Sequence, residues 1–141
     1  MRVFLDTNVI LDAIVRRDDP GLTENATLIL SLGEARVVDL YMSVLSIPTV
    51  AYVLKNMTAS AKRGIIRDLT SFIGVLPSLP GHVGSVLEGS LPDIENALQV
   101  QSALEGPCDL IVTRNGKDFA ASPIPVISPE DFLNRIITKA K

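Results

Sequence analysis

A parallel β-sheet covered by helices is the fold class this sequence predicts, and three observations carry that expectation. Short apolar runs of strand length alternate with segments of helical periodicity along the whole chain, the pattern of βα units. The run Leu110-Ile111-Val112, ending in Thr113, is apolar without alternation, as in a strand buried on both faces. The first run, Arg2-Val3-Phe4-Leu5, stops at Asp6-Thr7-Asn8 and passes straight into Val9-Ile10-Leu11, so a strand feeds a helix at once. With 141 residues and no repeat, low-complexity tract or linker, one domain is expected over residues 1–141.

The elements follow in order. A helix is expected from Thr7 to about Arg16, with Ile10, Leu11 and Ile14 on one face. Asp18-Asp19-Pro20-Gly21 reads as a turn. Thr23 to Ser31 reads as a helix, with Ala26, Ile29 and Leu30 at helical spacing and Gly33 closing it. Val37 to Met42 is the second strand, ending at Ser43. Pro48 suits an early helical position and gives a helix from Ser46 to about Asn56. Another runs from Ser60 to about Leu69 and carries Lys62, Arg63 and Arg67. Phe72 to Leu76 is the third strand, stopped by Pro77 and Pro80. Val83 to Glu88 is a short helix, and Asp93 to Leu104 a longer one with Ala97, Leu98, Val100 and Ala103 apolar. Leu110 to Thr113 is the fourth strand, with Arg114 to Phe119 as the loop after it. Ile124 to Ile127 is an edge strand, because Pro125 has no amide to donate. Ser128, Pro129 and Asp131 fit the cap, first and third positions of a closing helix.

Composition narrows the function. Hydrophobic residues at 47% and charged residues at 21% exclude a disordered chain. Aromatics at 4%, with no tryptophan, argue against binders that stack bases on aromatic platforms. A net charge of −3 argues against general polyanion binding. The basic groups Arg16-Arg17, Lys62-Arg63, Arg67, Arg114 and Lys117 are small, and alone they read as solvated surface. Nucleic acid would need bound metal, local basic residues or a basic partner. Cys108 is the only cysteine, which fits a reducing compartment and forbids an intrachain disulfide. His82, the one histidine, is expected in a surface loop, and the His and Cys counts exclude a zinc site built from them. Asp6 and Asp12 interrupt the N-terminal apolar run, so no signal peptide is read there, and no run is long enough to span a membrane. A cytoplasmic protein without a membrane partner is expected.

Three places set acidic or amide side chains at element ends: Asp6-Thr7-Asn8 with Asp12, Asp93-Ile94-Glu95-Asn96, and Asn115 with Asp118. Ligands of open α/β sheets lie beyond the carboxyl ends of strands, where Asp6 falls. Oxygen-only groups suit Mg²⁺ or Mn²⁺, and such ions serve phosphodiester cleavage. Each acid also has a plain structural reading. Asp6 and Asp93 suit helix N-caps, Glu95 sits well beside a helix dipole, Asp118 suits a turn, and Asp12 suits a solvent-facing helical position.

These segments resemble the PIN domain, the nuclease fold of VapBC-type toxins and of RNA-processing enzymes. The resemblance lies in Val3-Phe4-Leu5-Asp6-Thr7-Asn8-Val9, Met42-Ser43 with the following helix, Asp93-Ile94-Glu95-Asn96-Ala97-Leu98-Gln99, and Ile111-Val112-Thr113-Arg114-Asn115 running on to Lys117-Asp118-Phe119. Val126 to Leu133 matches the usual ending. The resemblance implies a three-layer α/β/α fold whose parallel sheet of about five strands has the order 3-2-1-4-5. It also implies a Mg²⁺- or Mn²⁺-dependent ribonuclease, commonly a homodimer, in some members the toxin partner of a small antitoxin. Thr49, Asn96 and Asn115 stand where the family usually carries acids, so only Asp6 is kept in place. Glu95 lies about 100° around a helix from Asn96. Asp118 shares a face with Asn115 if the loop coils.

Three readings stay open. In the first, Asp6, Glu95 and Asp118 hold one weakly bound ion, with Asn8, Ser43, Thr49, Asp93 and Thr113 around it. Asn96 and Asn115 then orient water, and Arg114 and Lys117 contact RNA phosphate. In the second, the domain has lost catalysis and binds RNA or protein. In the third, Asp6 is the nucleophile of a phosphotransfer domain of the haloacid dehalogenase or receiver type. The former wants a second Asp where Asn8 stands, and the latter wants paired acids and a late lysine with no counterpart here.

Overall fold

Alternation along the strands decides the layers. The computed structural model describes residues 1–15, 17–106 and 108–140. Its strands are β1 (Arg2–Leu5), β2 (Asp39–Ser43), β3 (Ile73–Leu76), β4 (Leu110–Val112) and β5 (Val126–Ile127). Val3, Leu5, Leu40, Met42, Leu110 and Val112 turn to one face of the sheet and join the larger core. Phe4 and Ile111 turn to the other and join a smaller one. Successive side chains of a strand point to opposite faces, so both cores are written into the same short runs. Phe4, with no solvent exposure, contributes about 1.5–3 kcal/mol by its burial.

The sheet order is β3-β2-β1-β4-β5, as expected, and every neighbouring pair is parallel. Val3 lies opposite both Leu40 of β2 and Leu110 of β4. Chain order reverses at β1, so the gap between the carboxyl ends of β1 and β4 is the topological switch point.

The helices are α1 (Thr7–Ile14), α2 (Pro20–Glu34), α3 (Ser46–Val53), α4 (Ala59–Thr70), α5 (Pro80–Glu88), α6 (Ile94–Glu105) and α7 (Pro129–Ala140). The larger core takes Val9 and Ile10 from α1, Ala26 and Ile29 from α2, Val50 from α3, Leu69 from α4, and Phe132 from α7. The smaller takes Val100 and Ala103 from α6, with Phe119 and Ile124.

Several expected boundaries shift for identifiable reasons. The helix expected from Thr23 begins at Pro20, because Asp19 accepts a hydrogen bond from the Gly21 amide at 2.9 Å and Pro20 takes the first helical position. Gly33 does not close that helix but lies inside it, where a Cβ would collide with the Leu40 side chain. The helix stops at Glu34, and Arg36 (φ 58°) takes the left-handed conformation expected of a glycine after a helix. The third helix ends at Val53 rather than Asn56, and the Ile124 to Ile127 strand shortens to Val126–Ile127. The loop after β4 coils into a 3-10 turn, Gly116–Phe119. The expected end of the first helix at Arg16 lies outside the described residues.

His82 is not in a surface loop. It is buried in the first turn of α5, where its Nδ1 accepts the Leu79 amide at 3.1 Å and its Nε2 lies 3.6 Å from Glu105 of α6. No helix among the described residues is long and apolar enough to cross a membrane.

Candidate functional site

Asp6 is the first residue past β1 and stands at the cap position of α1, yet its side chain caps nothing. Its carboxylate instead crosses to β4 and α6. Oδ2 accepts the Thr113 hydroxyl at 2.7 Å, and Oδ1 accepts Gln99 Nε2 at 3.2 Å. The Asp6 amide donates to the Val112 carbonyl at 3.0 Å, continuing the β1–β4 ladder by one residue and fixing the carboxylate at the switch point. Asp6 is only 2% exposed. Burial raises its carboxyl above the ordinary 3.8, against the opposing pull of Thr113, of Gln99 and of the nearby Asn8 and Thr7 amides.

Gln99 is the hub that sequence reasoning missed. Its Oε1 accepts the Thr7 amide at 3.2 Å and the Thr7 hydroxyl at 3.3 Å, while Nε2 reaches both Asp6 and Asn96 Oδ1, the latter at 3.3 Å. Thr7 Oγ lies 2.7 Å from Ser46 Oγ, so α3 joins the network through Ser46. Thr49, the α3 residue expected near the site, turns back to the Leu45 carbonyl at 3.5 Å. The signal for Gln99 was present in α6. Asn96, Val100 and Ala103 stand three or four residues apart and share its buried face, and a glutamine at that register must find partners.

The remaining candidates separate. Asp93 caps α6, accepting the Asn96 amide at 2.9 Å, so its capping reading holds. Glu95 is exposed, and its carboxyl is raised by desolvation first, then by the charges of Asp93 and Asp6. The Asp6 charge thus reaches Glu95, as the smallest of the three causes. Asp118 is exposed on the 3-10 turn, its amide donating to the Asn115 carbonyl at 2.9 Å, and it contributes to neither shift. The expected gathering of Asp6, Glu95 and Asp118 is not observed. Among the described residues no three His, Cys, Asp or Glu side chains lie close enough to hold a metal ion. Ser43 is fully buried and accepts the Leu45 amide at 3.1 Å. Asn115 donates its amide to Thr113 Oγ at 3.0 Å, so Thr113 is held from both sides.

Asp12 is not solvent-facing. It is 1% exposed, with Oδ2 accepting Arg114 Nε at 2.6 Å and Oδ1 accepting Arg17 Nε at 2.8 Å and an Arg114 terminal nitrogen at 3.2 Å. Arg114, expected to contact RNA phosphate, thus spends its bidentate edge on Asp12. It lines a cavity of about 320 Å³ with Leu22, Asn25, Ser128 and Pro129, bordered by α2 and α7. This clamp anchors the residue after Thr113, and hence the partner of Asp6. Lys117 is exposed and makes no ion pair among the described residues.

One feature fits a small divalent cation: a buried carboxylate at the switch point held by neutral donors, with a further acid, Glu95, in the first turn of α6. Few protein ligands completed by water are usual for Mg²⁺ and Mn²⁺. A parallel α/β/α fold with an acid at the crossover defines the class. The chain belongs to the PIN domain family, whose model matches residues 2–117. Solved structures of similar fold are a toxin–antitoxin complex from Klebsiella pneumoniae, FitAcB from Neisseria gonorrhoeae, and VapBC2 from Rickettsia felis bound to a DNA fragment from its promoter. The Klebsiella match has 20% identity and a TM-score of 0.66, and covers 90% of this chain and 97% of that one. The gonococcal match has 16% identity and a TM-score of 0.65, covering 91% and 98%, and the Rickettsia match 16% and 0.62, also covering 91% and 98%. No curated protein matches the chain.

Proposed function

We propose that this chain is a divalent-cation-dependent ribonuclease of the PIN type. The observation that carries the reading is the buried Asp6 carboxylate at the β1–β4 crossover, held there by Thr113 and Gln99. Asp6 and Glu95 would hold Mg²⁺ or Mn²⁺. When bound, such an ion supplies Lewis acidity toward a phosphodiester and lowers the pKa of attacking water. Thr113 and Gln99 keep the Asp6 carboxylate in one orientation, and Asn115 keeps Thr113 in place. Lys117 offers its ammonium to RNA phosphate from the exposed turn. Asp118 and Arg114 stand outside the innermost group in this reading.

The reading extends to partners. The Klebsiella structure is a toxin–antitoxin complex matched over at least nine-tenths of both chains, which supports an antitoxin as partner; a homodimeric toxin is proposed on the family resemblance alone. Purified protein should cleave a mixed RNA substrate with Mn²⁺, and should fail with chelator or as Asp6→Ala. Equal cleavage in all three conditions would refute the enzyme.

A second reading is favoured by one observation, the neutral amides Asn96 and Asn115 in a chain where no three metal-binding side chains gather among the described residues. A PIN domain of that composition can serve as an RNA- or protein-binding module without cleavage. Calorimetric titration separates the two. Stoichiometric Mn²⁺ binding lost in Asp6→Ala supports the enzyme, and no binding in the presence of RNA supports the module.

A further inference from the structure

We propose that Gln99 is the positioning residue of the Asp6 cleft, and that it makes Asn96 a hydrogen-bond donor to the phosphodiester rather than a ligand of the cation. The inference rests on the nuclease reading above and assigns a role within the same site.

Donor and acceptor identity fixes the orientation of both amides. The Thr7 backbone amide can only donate, and it lies 3.2 Å from one end of the Gln99 side chain. That end must be the carbonyl oxygen. The other end is then the NH₂ group, and the two atoms it meets, Asp6 Oδ1 at 3.2 Å and Asn96 Oδ1 at 3.3 Å, must both accept. Asn96 is thereby committed to turning its carbonyl oxygen inward onto Gln99. Its Nδ2 group has no protein partner among the described residues, and no buried side-chain nitrogen or oxygen among them is left unsatisfied. Asn96 Nδ2 therefore opens to solvent, on the helix that also carries Glu95 in its first turn.

Because the Thr7 hydroxyl gives its hydrogen to Gln99, it must accept from Ser46, so the relay has one direction from α3 through α1 to α6. Gln99 is 1% exposed and cannot reverse its amide without opposing the Thr7 N–H. A cation needs an oxygen, and Asn96 presents nitrogen; a phosphate oxygen needs a donor, and Asn96 presents two N–H groups. The acids Asp93 and Glu95 on the same turn repel a bare phosphate, so the contact forms once a divalent cation offsets them.

The test uses the whole chain and two probes, Mn²⁺ alone by calorimetry and a short single-stranded RNA with Ca²⁺ by fluorescence anisotropy. Asn96→Ala should leave the Mn²⁺ dissociation constant within about twofold while weakening RNA binding about tenfold, the loss of one hydrogen bond to a charged group. Gln99→Glu replaces the donor by a carboxylate beside Asp6. It should reproduce the RNA defect and tighten Mn²⁺ binding, a split that mere loosening of the fold does not produce. A tenfold loss of Mn²⁺ affinity in Asn96→Ala would overturn the proposal by making Asn96 a cation ligand, and unchanged RNA affinity would overturn it directly. Either result leaves Mn²⁺-dependent cleavage by the unaltered chain intact. Absence of both Mn²⁺ and RNA binding in the unaltered chain removes the nuclease reading and this one together. If Gln99→Glu fails to fold by circular dichroism, the Asn96→Ala pair of measurements decides alone.

Discussion

Removing the Asp12 carboxylate should cost the fold more than any other single change at a charged residue, and the cost can be worked from contacts. Asp12→Ala deletes three charge-assisted hydrogen bonds, from Arg17 at 2.8 Å and from Arg114 at 2.6 and 3.2 Å. It leaves two guanidinium groups pointed at one another across a small void. Removing one partner of a fully buried ion pair costs about 3–5 kcal/mol. Here the two arginine side chains are 32% and 28% exposed, so water screens the charges left behind and the cost falls to about 2 kcal/mol. For a domain of this length that lowers the unfolding midpoint by about 4–8 °C. Arg114→Ala should cost about half as much, because Arg17 still covers Oδ1. The double variant should fall short of the summed costs by about 1 kcal/mol, since the two residues share one interaction. Thermal unfolding by circular dichroism of the four proteins reads all of this. A midpoint for Asp12→Ala within about 1 °C of the parent would refute the clamp.

Three further outcomes follow from other parts of the structure. Burial holds the Asp6 carboxyl above its ordinary 3.8, so the folded chain binds that proton more tightly than the unfolded chain, and a penalty grows as pH rises through the raised value. Asp6→Asn should therefore raise the unfolding midpoint of metal-free protein at neutral pH, with the difference vanishing in melts below about pH 4. Cys108, its thiol pushed up to about 11 by burial, should react with iodoacetamide about a hundredfold more slowly in the folded than in the unfolded chain at pH 8. Gly33→Ala drives a methyl group into Leu40, itself locked in the core, and should destabilise by about 1–3 kcal/mol in urea titration.

The sheet was legible because apolar runs such as Val3-Phe4-Leu5 and Leu110-Ile111-Val112 have strand length and no helical period, and their β-to-α order admits few topologies. Asp6 was legible for the same reason, as the residue that ends a buried strand. The partners of the site were not. Arg17 and Arg114 stand 5 and 102 residues from Asp12, and nothing local announces that both arginines close on it. Ser46 rather than Thr49 faces the site because α3 turns its first residue, not its fourth, toward α1. Gln99 reads as an ordinary helix polar residue until its register with Val100 and Ala103 places it on the packed face of α6. His82 sits between Gly81 and Val83, which locally reads as loop, but Pro80 opens α5 and carries it into a buried first turn.

Asp6 is proposed as the anchor of a divalent cation. Crystals soaked in Mn²⁺ and measured at a wavelength where manganese scatters anomalously test that directly. The expected result is one peak about 2.0–2.2 Å from an Asp6 carboxylate oxygen, with Glu95 as second acid and Asn96 oxygen absent from the coordination sphere. Mn²⁺-dependent cleavage of RNA by a protein whose crystals show no peak at Asp6, or a peak only elsewhere, would contradict it.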